Sequence, residues 1–225
     1  MNGVHDVFPP EFTSPIMLSL QVASVSSLLV LIVGIFAAKV MSDRTFRGKV
    51  VVETALLLPL VLPPSVVGFT LLVIFGRQSP VGRVFEWLFH QPLVFSWWAA
   101  VGAAAVVAFP LMYQSVKGGL TSIDREVIDA ARSDGASERQ LFVYITLPLA
   151  TKFIVSGWVL SFARALGEFG ATLMVAGSIP GKTQTIATAI YVAVEANDMR
   201  LAALWVGATV VVSFLMLLFV QIYQR

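Results

Sequence analysis

Two charged side chains stand four residues apart inside an otherwise apolar stretch of this sequence. Arg164 and Glu168 fall near the middle of a segment that runs from Pro148 to about Ala176. An ionised side chain costs about 3 kcal/mol at the centre of a bilayer, so the two should face each other or a wet cavity. If they face a cavity, the arginine can offer a forked pair of donors to a tetrahedral dianion, while the glutamate holds the arginine in position. A purely structural ion pair is the other interpretation, and the spacing allows both.

Three prolines interrupt a second apolar segment, residues 50 to 75. Proline removes a backbone donor and clashes with a preceding carbonyl, so Pro63 and Pro64 should break the helix there. A broken backbone at membrane depth must be satisfied by neighbouring protein or by a wet cavity. Pro64 suits the first turn of a new half-helix, whose amides around Ser65 and Val66 could point at an anion. A packing kink is the alternative interpretation.

The composition places these residues in a membrane. Hydrophobic residues make up 57% of the 225 residues and charged residues only 12%, whereas soluble domains carry about 25% charged residues. Five apolar segments reach the length of roughly 20 residues that crosses a bilayer as a helix. They are Pro15 to Met41, Val50 to Phe75, Leu93 to Tyr113, Pro148 to about Ala176, and Leu201 to Tyr223. The sequence therefore predicts an all-α integral membrane protein with about five transmembrane helices.

The basic residues predict how the chain is oriented. They concentrate in the first and third loops, which should therefore be cytoplasmic. The N-terminus, residues 1 to 14, is then an extracellular segment, residues 15 to 225 form the transmembrane domain, and the C-terminus lies inside. Glu53 should stay hydrated near the cytoplasmic interface. The net charge of +2 resides in loops and does not indicate nucleic-acid binding.

The sequence offers little for catalysis. Glu168, His90 and His5 are the candidate acids or bases of an intramembrane enzyme. Both histidines fall in predicted extracellular loops and no nucleophile–base set shares a span, which disfavours that function. The absence of cysteine excludes thiolate metal sites and thiol catalysis. We expect no catalytic residue, no metal site and no cofactor bound by this chain.

The sequence of the third loop, residues 117 to 147, predicts a helix, a turn and a second helix. Thr121 is expected to cap the first helix with Asp124 at its third position. Gly135 supplies the left-handed residue that ends this helix.

The second helix of this loop begins with a capping box. Ser137 and Gln140 have the spacing of that motif, and the helix is expected to run toward the membrane until Pro148. Such a compact pair of helices could dock in a partner's groove. A solvated connector is the alternative.

Seven residues of this region match a signature by type and spacing: Asp129, Ala130, Ala131, Gly135, Ile145, Leu147 and Pro148. The chain here resembles the permeases of binding-protein-dependent ABC importers, whose cytoplasmic loop carries Glu-Ala-Ala, three residues, Gly, nine residues and Ile-x-Leu-Pro. Asp129 in place of Glu is the one departure, and it keeps the charge with a shorter reach.

The resemblance implies a fold, a set of partners and a location. The fold would be that of a type I ABC importer permease, with the loop 117–147 docking in an ATPase subunit as a coupling helix. Two copies of the chain would enclose a pathway, with two ABC ATPase subunits using the ATP and an external oxyanion-binding protein delivering the substrate. The location would be the lipid bilayer of a bacterial or archaeal cytoplasmic membrane.

Three further stretches are similar to the molybdate permeases of this family: LPLVLPPSVVGF from Leu58, SFARALGEFGAT from Ser161 and SIPGKTQTIATAIY from Ser178. The expected substrate is molybdate, with tungstate, sulfate or thiosulfate as alternatives of the same class and a passive anion channel as another function. Gly167, Gly170 and Gly177 permit close helix packing or a bend at a gate. The expected pathway residues are Pro63, Pro64, Ser65, Arg164, Gly167, Glu168, Phe169 and Gly170.

The sequence AGSIPGKT, residues 176 to 183, matches a relaxed phosphate-loop pattern with Ala176 in place of the first glycine. Nucleotide binding would need a parallel sheet around the loop and an acidic residue for magnesium, and the flanking apolar segments leave no room for that domain. The predicted orientation also puts this loop outside, away from ATP. A short extracellular helix or a re-entrant segment that contacts a binding protein is favoured.

Overall fold

The computed structural model describes residues 10 to 224, and within that range the chain consists of helices and loops without a β-strand. The first six helices are α1 (Pro10–Asp43), α2 (Lys49–Val61), α3 (Pro64–Phe75), α4 (Pro80–Phe89), α5 (Trp97–Thr121) and α6 (Arg125–Ser133). They are followed by α7 (Glu138–Leu141), a π-helical segment (Phe142–Thr146), α8 (Leu147–Leu149), α9 (Thr151–Leu166), α10 (Gly170–Ala176), α11 (Ile186–Glu195) and α12 (Met199–Gln224). The prediction of an all-α chain is confirmed for these residues.

Among residues 10 to 224, three helices, α1, α5 and α12, are long and apolar enough to cross a membrane unbroken. Two further crossings are available if bent pairs count as single spans. The axis turns by 116° between α2 and α3, and by 68° between the run Glu138–Leu149 and α9. Three to five candidate spans agree with the five apolar segments of the sequence.

The fourth predicted span, residues 148 to 176, is wrong as a single helix. Helix α9 ends at Leu166, and α10 begins at Gly170 after a short break. The Glu168 side chain stabilises the break by accepting a hydrogen bond from the Ala171 amide at the start of α10. The apolar pattern of the sequence does not indicate this contact.

The N-terminal boundary also differs from the prediction. Helix α1 begins at Pro10 rather than Pro15, so part of the predicted extracellular segment 1 to 14 is helical. A tertiary contact explains the extension, because the indole Nε1 of Trp205 donates to the Phe12 carbonyl at 3.0 Å and the two rings stack. Residues 1 to 9, with the candidate base His5, lie outside the described residues.

The centre of the bundle is formed by α1, α5 and α9, which pack closely because their contact faces carry small residues. The small buried residues of α5 are Ala99, Ala100, Ala103, Ala104, Ala108 and Gly119. On α9, a Cβ added to Gly157 would lie only 2.6 Å from the Cβ of Ser115. The backbones of α5 and α9 can therefore approach to a distance that a larger residue would prevent.

The prolines break the second segment as predicted. Helix α2 ends at Val61, Leu62 and Pro63 are extended, and Pro64 is the first residue of α3. Proline at a helix start loses no hydrogen bond, because the amides of the first turn have no partner within the helix. The chain thereby turns back at this point and brings α3 against α10.

Candidate functional site

The first helix of the loop 117–147 is α6, and it starts later than predicted. The carboxylate of Asp124 accepts the Glu126 N–H at 3.0 Å, so Asp124 is the cap and α6 begins at Arg125. The prediction that Thr121 caps this helix is wrong. Thr121 belongs to the last turn of α5, where its hydroxyl donates to the Lys117 carbonyl at 2.9 Å.

Gly135 ends α6 as predicted, with a φ of +86°. The amides of Asp134, Gly135 and Ala136 donate to carbonyls of the last turn of α6 at 3.0 to 3.1 Å. A Cβ added to Gly135 would meet nothing within 4 Å. Its requirement is therefore one of backbone conformation, since L side chains rarely adopt this region of φ.

Arg132 connects the two helices of the loop, a role that sequence analysis missed. Its Nε lies 2.8 Å from Oε1 of Glu138, and its Nη1 lies 3.4 Å from Oδ1 of Asp129. The hydrogen bond from Arg132 holds the pKa of Glu138 below its ordinary value. Asp129, the signature residue that departs from the family pattern, thus forms part of a charged network on an exposed surface.

The second helix of the loop begins and ends close to the predicted residues. The capping box is present, with Ser137 N–H donating to Gln140 Oε1 at 2.9 Å and Gln140 N–H donating to Ser137 Oγ at 3.3 Å. Ile145 lies in the π-helical segment, and Leu147 and Pro148 open α8. The helical run Glu138–Leu149 ends one residue after Pro148, so the predicted end at Pro148 is confirmed to within one residue.

A π-helical segment directly before α8 accommodates Pro148 within this run. A π turn shifts the hydrogen-bond register by one residue, so Pro148 falls at the start of a new α-helical turn where its missing amide is tolerated. The axis then changes direction by 68° before α9. The signature residues Ile145, Leu147 and Pro148 thus form the bend between the loop and the membrane.

The charged pair in the membrane segment is present. Arg164 Nη1 lies 2.7 Å from Oε2 of Glu168, while Oε1 of Glu168 accepts the Ala171 N–H at 2.8 Å. A spacing of four residues would place the two side chains on one face of a continuous helix, but Glu168 lies in the break after α9. Both of its oxygens therefore have partners, and the negative charge sits at the positive N-terminal end of α10.

The two members of the pair differ in exposure. Glu168 is 2% exposed, whereas the Arg164 side chain is 31% exposed. Gly167 is exposed beside them and Phe169 is partly buried, with its ring centroid 5.3 Å from that of Tyr191 on α11. Arg164 is thus held by a buried carboxylate while about a third of its own side chain stays exposed.

The start of α3 lies against this break. A Cβ added to Gly170 would be 3.0 Å from the Cβ of Pro64 and 3.6 Å from the Ser65 amide nitrogen. The amides of Val66 and Val67 donate to the Pro63 carbonyl at 2.9 and 3.2 Å. The Val66 amide is therefore occupied, and Pro64 has no N–H. Of the amides expected to face an anion, that of Ser65 remains.

The phosphate-loop pattern does not form a phosphate cradle. The amides of Lys182, Thr183 and Gln184 all donate to the Ile179 carbonyl at 2.9 to 3.0 Å, and the Thr183 hydroxyl accepts the Ile179 N–H. Thr183 is buried. The donors and the hydroxyl that would bind a nucleotide are occupied within the turn, and a short apolar helix, α11, follows it.

Sequence analysis also missed an ion pair between α2 and α5. Glu53 Oε1 lies 2.6 Å from Nζ of Lys117 and accepts a hydrogen bond from the Tyr113 hydroxyl at 3.3 Å. The side chain of Glu53 is 19% exposed, so these partners are additional to the hydration expected for it near the cytoplasmic interface. No local spacing relates residues more than sixty positions apart, so only the packed structure shows this contact.

Comparison with known proteins gives consistent matches along the chain. Residues 30–225 match the family described as binding-protein-dependent transport system inner membrane component. A Bacillus subtilis (strain 168) protein with the provisional name of a molybdenum transport system permease is 56% identical, over 94% of this chain and 93% of its own. The molybdenum transport system permease protein of Escherichia coli (strain K12) is 46% identical, over 83% and 81% of the two chains.

More distant matches extend the comparison. A Chlorella vulgaris protein named as a probable sulfate transport system permease is 32% identical, over 99% of this chain and 85% of its own. Two crystal structures of a bacterial alginate ABC transporter align with TM-scores of 0.77 and 0.76 at 17% identity. They cover 97% and 100% of this chain, with 80% and 83% of the matched chains. At that identity the structures establish the shared fold.

Proposed function

This chain belongs to the family of binding-protein-dependent transport system inner membrane components, and from that membership we propose that it is the membrane-spanning subunit of an ATP-driven molybdate importer. The observation that supports molybdate as the substrate is the sequence identity of this chain to its relatives. Those named for molybdenum transport reach 56% and 46% identity, while a relative named for sulfate transport reaches 32%. Tungstate, which shares the shape and charge of molybdate, is the expected second substrate.

The proposed ATPase contact is the surface formed by α6, the turn at Gly135 and α7. Asp129, Arg132 and Glu138 on this surface are 49% to 72% exposed, and their mutual contacts hold its two helices together. A charged, pre-organised helical pair can dock in a groove without a large ordering cost. ATP is used by two separate ATPase subunits, each of which receives this surface from one copy of the chain.

The proposed dimer contact involves α2. Within the described chain, no residue of α2 is fully buried, although the helix is apolar along most of its length. Val50, Val51 and Val61 are 71% to 81% exposed. A second copy of the chain would cover this face next to the break at Pro63, so that the two breaks enclose the pathway.

The proposed pathway passes the break between α9 and α10. Arg164 supplies donors to a tetrahedral dianion, and Glu168 fixes their position and neutralises the arginine when no anion is bound. Pro64, Ser65 and Gly170 form the opposite side, with the Ser65 amide as a further donor. No covalent chemistry by this chain is required.

The proposed location is the cytoplasmic membrane, with the N-terminus outside and the C-terminus inside. The basic residues of the first and third loops support this orientation by the positive-inside rule. The surface around α11 then faces the external binding protein that delivers the oxyanion.

The test is uptake of labelled molybdate by cells that lack their own molybdate permease and receive this chain with the ATPase and binding protein encoded beside it. Tungstate and sulfate are added as competitors. We expect competition by tungstate and none by sulfate, and loss of uptake with Gly135→Val. Competition by sulfate would assign the chain to the sulfate permeases, and uptake without ATP would indicate a passive channel.

A further inference from the structure

Glu53 on α2 has two polar side-chain contacts with α5, an ion pair with Lys117 and a hydrogen bond from the Tyr113 hydroxyl. The Glu53 side chain is 19% exposed and that of Lys117 is 33% exposed, while Tyr113 is 1% exposed. The pair is thus partly shielded from water, and the proposed passage of the oxyanion does not use it. A charge pair in this position can hold two helices in register more firmly than a fully exposed pair does.

On one side, the pair adjoins the loop 117–147. Lys117 lies one turn before the end of α5, and its carbonyl accepts a hydrogen bond from the Thr121 hydroxyl at 2.9 Å. Only three residues separate the end of α5 from the start of α6 at Arg125. A displacement of α6 by an ATPase subunit therefore reaches Lys117 through a short, hydrogen-bonded connection.

On the other side, the pair adjoins the break that carries the membrane charges. Glu53 lies on α2, which leads through Pro63 into α3. Helix α3 packs closely on α10, because a Cβ added to Gly68 of α3 would be only 2.8 Å from the Cα of Ala171 of α10. The Ala171 amide donates to Glu168, the partner of Arg164. A contiguous series of contacts thus runs from α6 to Arg164.

We propose that Glu53 and Lys117 are positioning residues that transmit movement of α6 to the α2–α3 break, so that ATP hydrolysis and passage of the oxyanion remain coupled. This inference rests on the proposed function. Apart from the ion pair and the Tyr113–Glu53 hydrogen bond, α2 and α5 are mainly apolar helices, and apolar contacts allow sliding. A charge pair favours one relative position, as an element with discrete arrangements requires.

The test compares Glu53→Gln, Lys117→Gln and the charge swap Glu53→Lys/Lys117→Glu in liposomes that contain the complete complex with its binding protein. The measured quantity is molybdate imported per ATP hydrolysed. We expect each single change to lower this ratio about fivefold, the low end of typical coupling between sites. The charge swap should restore it, and Tyr113→Phe, which keeps the ion pair, should leave it close to wild type.

Two results would overturn the inference: an unchanged ratio in both single variants, or a charge swap that inserts normally and stays as uncoupled as the singles. The double-mutant comparison separates coupling between the two residues from unrelated damage. Wild-type complexes are assayed first with molybdate and sulfate, and the ratio is then measured for the anion that is imported. Failure of molybdate import thus contradicts the proposed substrate without deciding the role of the pair.

Discussion

Arg164 and Glu168 are unequal partners, because only the arginine has exposed surface. Arg164→Gln should reduce molybdate uptake by at least tenfold, since a neutral amide loses the charge and the forked geometry that bind a dianion. Arg164→Lys keeps the charge and should retain more uptake than the glutamine variant. The measurement is initial uptake at matched protein levels in the membrane. Unchanged uptake and anion selectivity in Arg164→Gln would leave the pair a structural one.

Glu168 should tolerate substitution less well than Arg164. Glu168→Ala removes the acceptor of the Ala171 amide and leaves Arg164 without its partner inside the protein. Either variant breaks one side of the pair, at a cost of about 3 to 5 kcal/mol for a buried pair, but only Glu168→Ala also removes the acceptor at the start of α10. We expect a lower unfolding temperature in detergent than for Arg164→Gln, measured by a thermal-shift assay. Equal unfolding temperatures for the two variants would contradict the assigned capping role.

The Arg132–Glu138 contact gives a pH-dependent prediction. The pKa of Glu138 is lowered by the hydrogen bond from Arg132, so the contact is present above the ordinary glutamate pKa and is lost as the pH falls through the lowered value. Arg132→Gln should return the pKa of Glu138 to its usual range, measured by NMR of labelled carboxyl groups. Arg139→Gln is the control that keeps the contact, and an equal shift there would contradict the assignment.

At the scale of elements, two glycines separate packing from intrinsic helix propensity. Gly68→Ala would place a Cβ 2.8 Å from the Cα of Ala171, whereas a Cβ on Gly102 of α5 meets nothing within 4 Å. Overpacking typically costs about 1 to 3 kcal/mol, while alanine in a helix is favoured over glycine by about 1 kcal/mol. Gly68→Ala should therefore lower the unfolding temperature, and Gly102→Ala should keep or raise it. The reverse order would show that α3 does not pack on α10 as described.

The whole molecule presents two kinds of exposed apolar surface, one expected to meet lipid and one to meet a second copy. The chain has no cysteine, so Val61→Cys on α2 introduces a single thiol next to the break. We expect this variant to form a disulfide or a short thiol cross-link between copies in membranes. Phe214→Cys on α12, a position also more than half exposed, is the lipid-facing control. Cross-linking at position 214 alone would place the dimer contact on α12.

The amino-acid sequence by itself determined the features that depend on neighbouring residues. The apolar runs give the candidate spans because a helix must cover the hydrocarbon thickness, and the prolines give the break before α3 because they lack an amide. Gly135 and the Ser137–Gln140 box act within a single turn, so their spacing was sufficient. The signature from Asp129 to Pro148 indicated the family because it depends only on residue types and their spacing along the chain.

Only the tertiary structure decided the features that depend on distant residues. The break at Glu168 forms because its carboxylate finds Arg164 and the Ala171 amide at once, and an apolar pattern carries no information on that geometry. The Glu53–Lys117 pair joins helices that are adjacent only after packing. The π-helical segment before Pro148 likewise changes the hydrogen-bond register of the helix, which the local sequence pattern did not predict. Long-range contacts select among local conformations of similar energy, and the chain's sequence pattern does not by itself reveal which contacts form.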